Sequence, residues 1–260
     1  MSTPSLIQSN SKSSQIQQLV QNVIARTEGM ETMYRNLSAK HESFQIHCQE
    51  NCRVDMVLQG EVPSDQIGKY KDRKQLLDQV IERDADEIKR TVEDLVQRFV
   101  ECLEEVGHLQ QLVIAGELAS WKQNQRHFSC EDDAARVELN NIQRWFESLA
   151  ELLWRLRQLG KQLEITRSRS NLPILQQVTQ FGALTQHITE LLEQLLIESF
   201  VLEKQPPQVI KTSNKFSATI RLLVGSKLQV HLSVPEVVAC LLYTSPSPRD
   251  RTRSRMPSSA

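Results

Sequence analysis

KQPPQVIKTSNKF, residues 204–216, separates two stretches of opposite character. Before it, leucines recur at helical spacing; after it, apolar and polar residues alternate. Pro206 and Pro207 cannot continue a helix, because each lacks a backbone donor and its ring crowds the preceding turn. The pair therefore predicts the end of a leucine-rich helical run and the start of a different class of structure.

Upstream, the apolar positions Ile16, Val20, Val23, Thr27, Met30, Tyr34, Leu37, His41, Phe44 and Cys48 alternate in steps of four and three, the seam of a coiled coil. Thr27 and His41 are its weak members. Gly60 and Pro63 interrupt the pattern, and Ser64 is placed to cap a second helix. That helix carries Ile88, Val92, Leu95, Phe99, Cys102, Val106, Leu109 and Val113 in the same alternation. Running from Ser64 to near His127, it would be about 95 Å long, with Gly107 and Gly116 as soft points. Ser129 followed by Glu131, Asp132 and Asp133 reads as a third helix start. Its seam is Ile142, Trp145, Leu149, Leu152, Leu156, Leu159 and Leu163, without a miss. TRSRSN (166–171) reads as a turn or loop, and Pro173 suits the first turn of a fourth helix. There Phe181, Leu184, Ile188, Leu191 and Leu195 form the seam, and Leu192, Leu196 and Phe200 widen it. A stripe this wide belongs inside a bundle.

Beyond Pro207 the period becomes two. FSATIRLLV (216–224), a turn at Gly225-Ser226, and Leu228, Val230 and Leu232 predict a hairpin; Val237 and Val238 begin a further strand. One hairpin is not a stable domain, so this is the opening of a larger β structure. The expected architecture is mainly α, an antiparallel four-helix coiled-coil bundle followed by the first strands of a truncated immunoglobulin-like β domain. Its divisions are a disordered segment 1–13, the bundle 14–204, the β start 205–239 and a tail 240–260. The first two helices exceed the last two, so part of that pair should protrude and offer charged faces to a partner.

The 260 residues are 39% hydrophobic and 24% charged, enough to bury a core. No proline lies between Pro63 and Pro173, as long helices require. No signal pattern or membrane-length apolar run is present. The five cysteines, Cys48, Cys52, Cys102, Cys130 and Cys240, have no paired spacing, which favours a reducing, intracellular setting. The tail CLLYTSPSPRDRTRSRMPSSA resembles a basic regulatory segment. However, CLLYTS can be encoded by TGT CTC TTA TAC ACA TCT, as in a transposase-type sequencing adapter, and SRMPSSA resembles the outer end of such a library molecule. The tail is therefore expected to be adapter read-through. It carries net +3, and its removal leaves the rest at −4, a balance that does not point to nucleic acid.

Three groups of residues invite a functional reading. His41, Cys48 and Cys52 share a helix face, but a metal site needs a further ligand that the sequence does not show; seam packing accounts for His41 and Cys48. Lys204, Lys211, Lys215, Arg221 and Lys227 against Glu203 make the junction basic, either to support a DNA backbone or as a solvated strand face. Trp145 belongs to the seam, whereas Trp121 and Trp154 suit either the core or a partner anchor. No P-loop, GxSxG or zincin pattern occurs, so the expectation is no enzyme, no cofactor, no metal and no catalytic residue.

SFVLEKQPPQVIKTSNKFSATIRLLVGSKLQVHL (199–232) resembles the signal transducer and activator of transcription (STAT) family. In that family a four-helix coiled-coil domain passes into an immunoglobulin-like DNA-binding domain through a similar segment. Glu203, Lys204, Gln205, Pro206, Lys211, Thr212, Phe216, Arg221, Leu222 and Leu223 match, and the uninterrupted PPQV looks closest to the prolactin- and interleukin-four-responsive branch. GELASWKQNQR (116–126), with Trp121 and Lys122, resembles the end of the family's second helix, and WFESLAELLWRLRQ (145–158) its third. The resemblance covers about residues 14–239.

It implies a latent factor of cytoplasm and nucleus, acting with cytokine receptors, tyrosine kinases and promoter DNA. Such a factor is phosphorylated on tyrosine and forms homo- or heterodimers through SH2 domains. The helical bundle would be its protein-interaction platform. The family's N-terminal domain, most of its DNA-binding domain, linker, SH2 domain and tail tyrosine have no counterpart here, and DNA-contact residues are not assigned. The tyrosines are Tyr34, Tyr70 and Tyr243: one in a seam, one early in the second helix and one in the tail. These 260 residues alone are therefore expected not to act as a tyrosine-activated factor, and to bind DNA weakly. The alternative is a structural coiled-coil scaffold or tether, which has no need of a helix-to-strand switch.

Overall fold

The computed structural model describes residues 4–60, 63–125, 133–169, 181–206 and 215–227. Four helical rods and a two-stranded antiparallel sheet follow in chain order. Helix α1 spans Pro4–Gln59. Helix α2 spans Ser64–Gln111 and continues through a π-helical segment, Leu112–Leu118, into a last α-helical piece, Ala119–Asn124. Helix α3 is Asp133–Arg169 and α4 is Phe181–Glu198; β1 is Phe200–Lys204 and β2 is Thr219–Leu222.

The seams are where their spacing puts them. Every named seam position of α3, from Ile142 to Leu163, is buried, and so are those of α2 from Ile88 to Val113. In α1, Tyr34 and Cys48 are half-buried and the others are buried. Each fully buried aliphatic or aromatic side chain removes about 1.5–3 kcal/mol of apolar exposure, so these rows dominate the stability. The weak member Thr27 is completely buried because its hydroxyl donates to the Val23 carbonyl (2.9 Å). A polar group satisfied within its own helix costs little in a core.

Helices α1 and α2 pair as an antiparallel hairpin. Its ion pairs run Arg26 with Glu101 and Glu105, Lys40 with Glu87, His47 with Asp84, Glu50 with Arg73 and Asp55 with Lys74. Against α1, α3 is fixed by Arg155, which donates from Nε and Nη2 to the two Glu31 oxygens (2.8 and 2.9 Å). That bridge holds the Glu31 carboxyl below its usual range, the Arg155 hydrogen bond being the largest cause. The Tyr34 hydroxyl lies 3.0 Å from Thr166 Oγ1. Helix α1 has 56 residues against 37 in α3, and the α1–α2 ladder continues beyond this contact to Asp55.

Five expectations need correction. Ser64 is the first residue of α2, and Pro63, with ψ of 136°, occupies the capping position without a side-chain hydrogen bond. Helix α1 begins at Pro4, ahead of the boundary expected at residue 14. Residues 166–169 of the expected loop are helical, because Thr166 and Ser168 donate to the carbonyls of Gln162 and Ile165 (3.0 and 2.9 Å) rather than breaking the ladder. Helix α4 stops at Glu198, and Phe200 opens β1; the exposed Phe200 and Leu196 do not widen its buried face. The wide stripe is on α3, where Leu139, Phe146 and Leu153 are fully buried beside the seam. Finally, β2 pairs with β1, Phe200 opposite Leu222 and Leu202 opposite Ile220. Residues 228–232, its expected hairpin partner, lie outside the described residues, as do Ser129, Cys130, Pro173, Lys211 and residues 228–260.

Replacing Leu152, only 1% exposed, by Asp buries an unpaired carboxylate in the α3 seam. We expect a loss above about 4 kcal/mol, against about 0.5 kcal/mol for Asp at the exposed Gln158. Thermal unfolding followed by circular dichroism separates the two; equal losses would contradict the seam assignment.

Candidate functional site

The π-helical segment sets the geometry of the lower end of the bundle. Along α2 the seam positions step by three and four from Ile88 to Val113, then the next buried residues follow by five at Leu118 and by three at Trp121. A step of five turns the seam too far for an α-helix, and one wider turn absorbs it. Trp121 is thereby brought inward, 3% exposed, with its indole Nε1 donating to the Ala135 carbonyl of α3 (3.0 Å). It is a core residue. About three turns back along α2, Gln110 is also buried and donates to the Leu191 carbonyl of α4 (3.1 Å).

The re-aimed end of α2 holds the strand that leaves α4. Gln125 Nε2 donates to the carbonyls of Leu202 and Glu203 (3.0 and 3.2 Å), and Gln205 donates back to Gln125 Oε1 (3.0 Å). These bonds satisfy carbonyls on the edge of β1 that a lone strand would leave bare. Lys122 pairs with Glu198 at 3.1 Å. On the face of β1 turned to the bundle, Val201 is buried, and beyond β2 Leu223 and Val224 join the same core. The opposite face carries Phe200, Leu202 and Ile220, all exposed.

Arg221 is the hub of this junction. Its Nε and Nη2 donate to the two oxygens of Glu203 (3.0 and 2.5 Å), while Nη1 donates to Asn140 Oδ1 (2.7 Å) and Gln143 Oε1 (3.2 Å) of α3. One guanidinium thus ties β2 to β1 and to the bundle, using the fork geometry that lysine lacks. Further along α3, Ser226 donates to Glu147 (2.7 Å) and Lys227 to Glu151 (2.5 Å). Lys227 lowers the Glu151 pKa through that hydrogen bond. Of the basic cluster expected to support DNA, then, Arg221 and Lys227 are engaged by the protein's own acids. Lys204 and Lys215 are exposed.

The other groups are placed differently. His41, Cys48 and Cys52 line an open groove of about 540 Å³ along α1 with Phe44 and Met56. Among the described residues no three His, Cys, Asp or Glu side chains converge as metal ligands. Burial lowers the His41 pKa and raises that of the Cys48 thiol. Trp145 is buried in the α3 seam, and Trp154 stands 53% exposed on the outside of α3.

Arg221→Ala should loosen the sheet rather than the bundle. Losing charge-assisted bonds to a partly buried acid costs about 2 kcal/mol, or about 30-fold in local opening. Hydrogen exchange at residues 200–204 and 219–222 should accelerate by that factor while α3 is unchanged; Lys215→Ala should do neither. Unchanged exchange in Arg221→Ala would remove its role as hub.

Known families match this chain in sequence over most of its length. The model of the STAT transcription factor coiled-coil domain matches residues 17–192, and that of the STAT DNA-binding domain matches residues 204–255. A signal transducer and transcription activator of Anopheles gambiae is 28% identical over 150 residues, 57% of this chain and 20% of that protein. The chain therefore spans about a fifth of the length of that curated relative. STAT2, crystallised in complex with IRF9, superposes with a TM-score of 0.44 at 19% identity, over 70% of this chain and 98% of that one. With the coiled-coil domain matched over well more than half of its residues, the chain belongs to the STAT family of transcription factors.

Proposed function

We propose that this chain is part of a cytokine-signalling transcription factor of the prolactin- and interleukin-four-responsive branch. Its helical bundle is a protein-interaction platform, and its strands open the DNA-binding domain. The carrying observation is the junction: β1 follows α4 within two residues, and Arg221 fastens the new sheet to α3. A scaffold or tether, the second reading, gains nothing from such a switch. In this reading the parent protein is phosphorylated on tyrosine, dimerises through SH2 domains and moves between cytoplasm and nucleus to promoters. The protruding α1–α2 hairpin meets its partners, and no catalytic step is assigned. No helix among the described residues is long and apolar enough to cross a membrane. We keep residues 240–260 as adapter-derived because CLLYTS is a peptide that such an adapter can encode, although the DNA-binding match extends across them to residue 255.

Two readouts on the 260-residue chain test the proposal together. Expressed beside the parent factor in cytokine-responsive cells, it should compete for the parent's partners and lower reporter output several-fold. Purified, it should give only salt-sensitive, non-selective shifts of palindromic and scrambled duplexes, because Arg221 and Lys227 are already paired and no base-reading surface is assigned. Undiminished reporter output would contradict the platform role, and sequence-selective binding at submicromolar concentration would contradict the DNA reading.

A further inference from the structure

One face of α3 is an interface for only half its length. Asn140, Gln143, Glu147 and Glu151 follow one another at helical spacing, and all four are engaged by β2 and the turn after it through Arg221, Ser226 and Lys227. The same stripe continues through Trp154, Gln158, Lys161 and Ile165, again in steps of three and four. Here nothing covers it among the described residues. Trp154 is 53% and Ile165 48% exposed, although every named seam residue of this helix is buried.

The chemistry of the open half is specific. Arg157 lies beside Trp154, its guanidinium carbon 5.9 Å from the ring centroid, within cation–π range. Its Nε is shielded from solvent yet has no hydrogen-bond partner, an incomplete arrangement for a group that normally finds an acceptor. Lys161, one turn on, is exposed and has no ion pair among the described residues. The stripe thus reads apolar, basic, apolar over about 17 Å, three turns of helix. The covered half has the opposite character: there α3 offers acceptors, Glu151 pairing with Lys227 and Asn140, Gln143 and Glu147 accepting from Arg221 and Ser226.

We propose that the Trp154–Ile165 face of α3 is a docking surface for an acidic amphipathic helix of another protein. Two apolar side chains of that helix cover Trp154 and Ile165, and a carboxylate between them accepts from Arg157 and pairs with Lys161. The exposed tryptophan is the anchor, and desolvation of the Arg157 contact supplies selectivity for charge. This rests on reading the bundle as an interaction platform, and it names the partner chemistry of one face.

The test uses three fluorescein-labelled helical peptides with one leucine stripe and a polar face of Glu, Gln or Lys. Their binding to the purified chain is followed by anisotropy at physiological ionic strength. The Glu peptide should bind about tenfold or more tighter than the Lys peptide. Trp154→Ala should weaken it by about tenfold or more, and Arg157→Glu with Lys161→Glu should reverse the order of the peptides. Trp154, Lys161 and Ile165 are exposed and Arg157 is half-buried at the rim of the seam, so the variants should keep wild-type circular dichroism; Ile165→Ala gives a second, milder probe of the same face. Absence of binding, equal binding of the three peptides, or a Glu peptide indifferent to Trp154→Ala would overturn the proposal. So would self-association abolished by Trp154→Ala, which would make a second copy the occupant. The duplex titration does not involve this face, so failure of the DNA reading and failure here are separable.

Discussion

The burial of α3 on two sides of itself is the constraint from which the remainder of the molecule follows. Its seam, Ile142 to Leu163, is unbroken, and Leu139, Phe146 and Leu153 lie fully buried beside it. A stripe that wide cannot be covered by one neighbour. Helix α1 bonds to it through Glu31 and Tyr34, the end of α2 through Trp121, and the strands through Arg221. Helix α3 thus stands where a two-stranded coiled coil would have solvent.

The same constraint explains why the helix-to-strand switch holds. A two-stranded sheet has too little core to stand alone. This one borrows core from the bundle through Val201, Leu223 and Val224. The polar layer around that contact then orients it: Gln125 meets the bare edge of β1, and Arg221 spans both strands and α3. The exposed face of Phe200, Leu202 and Ile220 is what the opening of a larger β domain presents.

Much of this was legible from residue spacing, and the failures have definite causes. Steps of three and four identified the whole seam of α3 and every buried position of α1 but Val54, because burial of a helix face leaves that period in the sequence; Leu139, Phe146 and Leu153, beside the α3 seam, were missed. In α2 the step of five from Val113 to Leu118 fell outside the pattern, so Trp121 could not be assigned to the core. Phe200 continues the helical spacing from Leu196, and a short apolar run does not distinguish a helix end from a strand; only its pairing with Leu222 does. The partner of β2 was expected next along the chain, whereas β1 precedes it across the proline segment. The basic residues and Glu203 were visible, but not their partners on α3: Arg221 meets the Asn140 amide and Lys227 meets Glu151, each more than seventy positions away. Polar pairing across such separations leaves no periodic trace.

The central claim is that the switch after Glu198 is the entry to a DNA-binding domain within a longer signalling protein. Sequencing the native transcript through and past the codon for Ala239 tests it most directly. The account predicts further β-rich sequence in place of CLLYTSPSPRD, followed by an SH2 domain and a tail tyrosine. A transcript that instead returns to three-four leucine heptads beyond this point would contradict it.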